Sequence, residues 1–247
     1  SLAETLSLEG RLLQPSIQGE NVSWPTAISK VANDFQRIIA KHGRDSVAFY
    51  LSGQLLTEDY YVANKLMKGY IGTANIDTNS RLCMSSAVAG YKRAFGADIV
   101  PASYEDFDTA ELIILVGSNT AWCHPIVFQR IKAIKEQRPS LKVVVIDPRE
   151  TATNEIADLH LPIKAGTDVL LFNALLVDVV TKGLTDEEFV SKHTKGLAET
   201  LKSAQQDVGD GSTVAERLGI DAEALETLKT WFANTPKTMT LFSMGVN

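Results

Sequence analysis

Five consecutive apolar residues, Leu112-Ile113-Ile114-Leu115-Val116, leave a strand with no polar face to turn toward water. Such a strand must be covered on both sides, as happens in parallel sheets whose crossover helices lie over both faces. A second run, Lys142-Val143-Val144-Val145-Ile146, follows after Pro125 to Gln137, whose apolar residues recur at helical spacing. Strand, helix, strand in that order is a parallel crossover. His160 to Ile163 and Lys237 to Met244 read as further strands, Val169 to Lys182 as a long helix, and Asp221 to Asn234 as a helix capped by Asp221. Residues 84–247 are therefore expected to form an α/β domain, a Rossmann-like parallel sheet flanked by helices.

The first third reads as a smaller α/β unit. Trp24-Pro25 opens a helix that runs to Ile39, and Val47 to Leu51 is a short strand ending at Ser52-Gly53. A helix from Tyr60 to Met67, a loop from Gly69 to Asn79 and a helix from Met84 to Phe95 follow. Residues 1–83 are expected to be a partial domain that ends at Cys83.

The formal charge of −6 supplies no general basic face, which argues against nucleic acid and anionic membranes as partners. No apolar run reaches membrane-spanning length. The two cysteines, Cys83 and Cys123, do not make a disulfide framework, so a reducing compartment, the cytoplasm, is expected.

Ligands of open parallel sheets bind at the carboxyl ends of the strands, and three polar blocks fall there. Gly117-Ser118-Asn119 follows the first strand, where a small residue lets backbone N–H groups approach a phosphate. Asp147-Pro148-Arg149 ends the second strand, offering a carboxylate for ribose hydroxyls and a cation for phosphate, or simply a turn. Gly166-Thr167-Asp168 precedes a helix, where Thr167 or Asp168 could cap free N–H groups or pair with the donors of a guanine. Cys83 sits between a polar loop and a small-residue helix start. A helix N-terminus there would stabilise a thiolate for metal ligation, against the alternative that the residue is plain packing.

Six blocks in order carry a wider resemblance: Ser52 to Tyr61, Ile76 to Cys83, Gly117 to Pro125, Ile146 to Arg149, Lys164 to Asp168, and Met244 to Asn247. Together they resemble the molybdopterin oxidoreductases, specifically the assimilatory nitrate reductase catalytic subunits. The resemblance implies a molybdenum centre held between two molybdopterin guanine dinucleotides, with Cys83 as the protein thiolate on the metal. It implies that Gln54 and Asn79 contact pterin or pyrophosphate, and that Gly117, Ser118, Asn119 and His124 line the nearer dinucleotide, His124 being otherwise a packing residue at the helix start before Pro125. Asp147 and Arg149 would take its ribose and phosphate, and Gly166, Thr167 and Asp168 its guanine end. Met244 and Gly245 resemble the segment that closes over the metal. Arg81 is a candidate for drawing in nitrate, because its planar donors match an oxyanion, or else is a salt-bridged structural arginine. Cys123 is read as structural.

The same resemblance implies two-electron reduction of nitrate to nitrite, an iron–sulfur cluster in a preceding domain, and an electron-donor protein or reductase subunit. No closely spaced cysteines precede Cys83, and the sequence stops inside the last block. The chain is therefore expected to be a fragment of a longer catalytic subunit, inactive alone, with an open sheet edge that self-association would cover. Formate dehydrogenases share the architecture but favour histidine after the metal-binding residue, where this chain has Met84. A non-catalytic relative of the same fold and an ordinary nucleotide-binding module are the remaining alternatives. Cysteine at position 83 argues against the first, and the lack of a glycine-rich fingerprint against the second.

Overall fold

A computed structural model describes residues 6–246, apart from the side chains of Ser80 and Arg81. The chain divides into two compact units, Ser1–Ser85 and Ser86–Asn247.

In the first unit, Ser16–Ile17 (β1) and Glu20–Asn21 (β2) pair antiparallel. Helix α1 (Trp24–His42) begins where the Ser23 hydroxyl accepts the Thr26 N–H, and Pro25 occupies the first turn, where a missing N–H is no loss. Phe49–Leu51 (β3) pairs in parallel with Ile76–Thr78 (β4), Tyr50 opposite Asp77. This second strand corrects the expected loop over 69–79. Three residues flanked by Asn75 and Asn79 carry little strand signal of their own, and the ladder with β3 creates the strand. Between β3 and β4 lie α2 (Thr57–Asn64) and a wider π turn (Lys65–Ile71), so the expected helix over 60–67 starts earlier and changes pitch near its end. The one-turn α3 (Ser80–Cys83) follows β4.

Val47 and Met67 are the buried apolar side chains among the described residues of this unit, whereas Trp24, Ile28, Tyr50, Leu56, Tyr61 and Val62 are exposed. A two-stranded sheet with so little beneath it is an incomplete α/β domain. Helix α4 (Ser85–Phe95) spans the division between the units.

The second unit is built on a parallel sheet. Leu112–Val116 (β5), Lys142–Ile146 (β6), Leu159–Leu161 (β7) and Thr238–Phe242 (β8) lie in the order β7-β6-β5-β8. Strand β7 ends one residue before Pro162, which has no N–H to continue a ladder. Strand β8 ends before Ser243, where the chain turns and the Val246 N–H donates to the Ser243 carbonyl at 3.0 Å.

Seven helices complete this unit among the described residues after α4. The short α5 (Thr120–Cys123) and α6 (Pro125–Gln137) join β5 to β6. After β7 come α7 (Asp168–Thr181), α8 (Glu187–His193), α9 (Leu197–Val208), α10 (Val214–Leu218) and α11 (Ala222–Asn234). The Asp221 carboxylate accepts the Ala224 N–H at 3.2 Å, the N-cap that its position before α11 predicts.

Alternate residues of the central strand serve opposite faces, as the strand period requires. Leu112, Ile114 and Val116 pack with Leu171, Leu175, Leu218, Leu225 and Leu228 on one side, while Ile113 and Leu115 pack with Phe107, Phe128 and Ile131 on the other. Ile114 is fully buried. Ile114→Ala is expected to lower unfolding free energy by about 2–5 kcal/mol, through lost transfer energy plus a cavity. Urea unfolding of the protein checks this; a loss under ~1 kcal/mol would mean that the face is not close-packed.

Candidate functional site

From β5 the chain moves outward through β6 to β7 and then returns to place β8 on the other side of β5. The carboxyl ends of β5 and β8 are therefore a topological switch point, where connections leave in opposite directions and a crevice opens. Two glycines meet there. The Gly245 N–H donates to the Gly117 carbonyl at 3.0 Å, and the Gly117 N–H donates to the Ile146 carbonyl at 2.8 Å. A Cβ on Gly117 would lie 2.9 Å from the Gly245 backbone, and one on Gly245 would lie 2.7 Å from Gly117 Cα. Gly117 also has φ of +53°, so it is required by conformation and by space, whereas Gly245 is required by space.

These glycines floor a cleft of about 370 Å³. Asn119, Asp147, Arg149, Gly166, Asp168 and Met244 line it with them, so eight of the residues singled out from sequence converge on one place. Asp147 is buried, and one of its carboxylate oxygens accepts the Arg149 N–H at 2.9 Å. The His160 ring nitrogen Nε2 lies 3.0 Å from the Asp147 carbonyl oxygen. The turn reading of Asp147-Pro148-Arg149 holds, since the aspartate ties its own turn, and the residue also lines the cleft.

Three expected residues are placed elsewhere. The Ser118 side chain is buried, its hydroxyl 2.8 Å from that of Thr120, so its contribution to the cleft can come only from the backbone. His124 is exposed at the start of α6 and lies outside the lining. Thr167 caps no N–H of α7; its hydroxyl donates back to the Lys164 carbonyl at 2.7 Å, and the residue borders a separate depression with Asn173, Asp207 and Arg217.

Cys123, Lys164 and Ser243 line the cleft without having been singled out for it. Cys123 ends the one-turn α5, and its spacing from Gly117 gives no sign that it lines the cleft. Lys164 immediately precedes the Ala165-Gly166 turn, a cation beside a small-residue turn being the available signal. Its Nζ donates to the Glu216 carbonyl at 3.1 Å, and its stem crosses Gly219, where a Cβ would come within 2.8 Å of Lys164 Cε.

The remaining candidates belong to the first unit. Gln54 is exposed, and its N–H donates to the Ser52 hydroxyl at 3.3 Å. Asn79 precedes α3, and its carbonyl accepts the N–H groups of Leu82 and Cys83 at 2.9 and 2.8 Å. Its side-chain Oδ1 is buried and has no hydrogen-bond partner among the described residues, an acceptor that a ligand donor would satisfy. Cys83 has a free, exposed thiol. It ends α3 two residues before α4 begins, which corrects its expected place at a helix start: the chain makes a separate helical turn first. The side chain of Arg81 lies outside the described residues. Among the described residues no three His, Cys, Asp or Glu side chains converge on one point, and no helix is long and apolar enough to cross a membrane.

The cleft of the second unit offers two cations, two carboxylates and glycine-edged backbone, a donor and acceptor set suited to a ligand with anionic and N–H-rich ends. The molybdopterin oxidoreductase model matches residues 11–247. The chain belongs to that family. It is 49% identical over its whole length to a nitrate reductase of Klebsiella oxytoca and 47% identical to one of Shewanella frigidimarina. It spans 28% and 26% of the lengths of those relatives. The acetylene hydratase of Pelobacter acetylenicus superposes with a TM-score of 0.70 at 26% identity, over 95% of this chain and 31% of that one. The parallel sheet flanked by helices is thus the architecture of a molybdopterin oxidoreductase.

Gly245→Ala is expected to force the ends of β5 and β8 apart and to destabilise the protein by about 1–3 kcal/mol. Gly245→Ala and Gly117→Ala together should cost less than the sum of the two, because both remove one contact. Urea titration of the three variants checks this; additive losses would mean that the glycines act independently.

Proposed function

We propose that this chain is part of the catalytic subunit of an assimilatory, molybdenum-dependent nitrate reductase, and that its cleft holds molybdopterin guanine dinucleotide. The convergence of separately spaced turns on the β5–β8 switch point carries the reading, supported by the two nitrate reductase relatives. The Gly117 and Gly245 backbone leaves room for a pyrophosphate to approach without a side chain in the way. Arg149 neutralises phosphate charge, Asp147 accepts from ribose hydroxyls, and Asp168 accepts from the N–H groups of guanine. Gln54 and Asn79 contact the pterin or pyrophosphate, the buried Asn79 oxygen being the acceptor in need of a donor.

Cys83 would supply a soft thiolate ligand to the molybdenum of the bound cofactor. When bound, the metal centre supplies two-electron oxygen-atom transfer, which converts nitrate, two protons and two electrons into nitrite and water. The protein binds, orients and shields; Arg81 draws in the anion, and Met244 closes over the site. Electrons arrive from an electron-donor protein through an iron–sulfur cluster outside this chain. Two free, exposed thiols suit the reducing cytoplasm. Met84 after Cys83 favours nitrate over formate as substrate.

Metal and nucleotide analysis of the full-length protein, paired with reduced-viologen assays on the same preparation, tests the reading. Molybdenum, acid-released guanine nucleotide and nitrate-dependent viologen oxidation are expected; formate-dependent activity instead, or folded protein free of metal, would overturn it. Cys83→Ala should abolish nitrate reduction while leaving the unfolding midpoint nearly unchanged, since the thiol is exposed. Asp168→Asn should lower guanine nucleotide retention by on the order of tenfold, the loss of one charged acceptor. Equal retention in that variant would remove Asp168 from the guanine contact.

A further inference from the structure

The buried hydroxyl of Thr153 stands beside Asn119. Thr153 lies in the 3-10 turn Ala152–Ile156 and is fully buried. Its Oγ1 accepts the Ala121 N–H at 3.1 Å and stands 3.2 Å from Asn119 Oδ1. The Ala121 N–H belongs to the first turn of α5 and can only donate. The hydroxyl hydrogen of Thr153 is therefore the one that serves Asn119, and it needs an acceptor there. Rotating the amide to face Thr153 with its NH2 group would leave that buried hydroxyl hydrogen without an acceptor among the contacts described, a costly arrangement.

We propose that Thr153 is a positioning residue that locks the Asn119 amide with its carbonyl inward and its NH2 group toward the cleft. Asn119 thereby presents two N–H donors, and the matching ligand group is an acceptor-only oxygen, as on the phosphates of a nucleotide. The connection runs from the turn after β6 to the turn after β5, so one hydroxyl ties two edges of the cleft and fixes the polarity of one of them. The inference rests on the cleft being a nucleotide site.

The test uses the full-length protein purified with its cofactor, and follows the rate at which guanine nucleotide is lost on dilution, with acid release to measure what remains. Thr153→Val, which keeps the shape and removes the hydroxyl, should release nucleotide about tenfold faster than the parent. Thr153→Ser should stay within about twofold, because the hydroxyl survives. In an Asn119→Ala background, Thr153→Val should add nothing further. Asn119→Asp, which faces the cleft with an acceptor, should lose nucleotide at least as fast as Thr153→Val and keeps the test decisive if the valine variant does not accumulate. Parental retention in Thr153→Val or in Asn119→Asp would overturn the proposal, as would an undiminished effect of Thr153→Val without Asn119. A parent protein holding no guanine nucleotide would sink the nucleotide-site reading itself, and the role of Thr153 with it.

Discussion

The hydrogen bond from the Gly245 N–H to the Gly117 carbonyl, made at a separation no Cβ would allow, joins the ends of two adjacent parallel strands. Everything that lines the cleft is arranged around that junction. The strands would pair without it, since their ladder runs the full length of β5 and β8. Without it, however, the two turns would diverge, and the crevice at the switch point would lose its floor. At the two glycines the cleft is lined by backbone rather than side chain, which would suit a ligand whose phosphates come close to N–H groups.

The sheet that carries this junction owes its position to burial on both faces. Ile113 and Leu115 face one helical layer while Leu112, Ile114 and Val116 face the other, so β5 cannot slip by one residue without exchanging its two environments. Register is thereby fixed from the centre outward, and the turns at the strand ends inherit it. The salt bridge of Lys135 with Asp158 adds a peripheral tie: the Asp158 carboxylate also accepts the Val143 N–H, linking α6 to the edge of the sheet. The pair is partly buried, and desolvation of its two charges offsets much of their attraction, so it contributes less than the packing beneath it.

Much of this was legible in the residues. Continuous apolar runs have one good solution in an α/β chain, and β5, α6 and β6 stand where those runs are. The polar turns at the strand ends supply six of the residues that line the cleft, Gly117, Asn119, Asp147, Arg149, Gly166 and Asp168, because strand ends on one sheet edge must gather, whereas Met244 and Gly245 are signalled by the family resemblance alone. What stayed hidden has a physical reason in each case. Strand β4 is three residues long and exists through pairing with β3 rather than through propensity. Thr167 offers the same hydroxyl to a helix N–H or to a carbonyl behind it, and only the local path of the chain decides. Cys123 and Thr153 reach the cleft region through one-turn helices, whose direction has no periodic signature over so few residues. Cys83 lies in the same kind of turn, which is why the helix after it begins later than the small residues suggest.

The placement of β8 beside β5 also has a consequence for the order of events during synthesis. The central strand is made early in its unit, yet its second neighbour comes from the far end, after five helices. Local structure on the β6 side can assemble while β5 still has one open edge, because closing a longer loop is the slower step. The floor of the cleft is therefore the last part of the unit to form. No ligand can be held against both glycines until residue 245 has arrived, so occupation of the cleft would follow folding of the sheet rather than guide it.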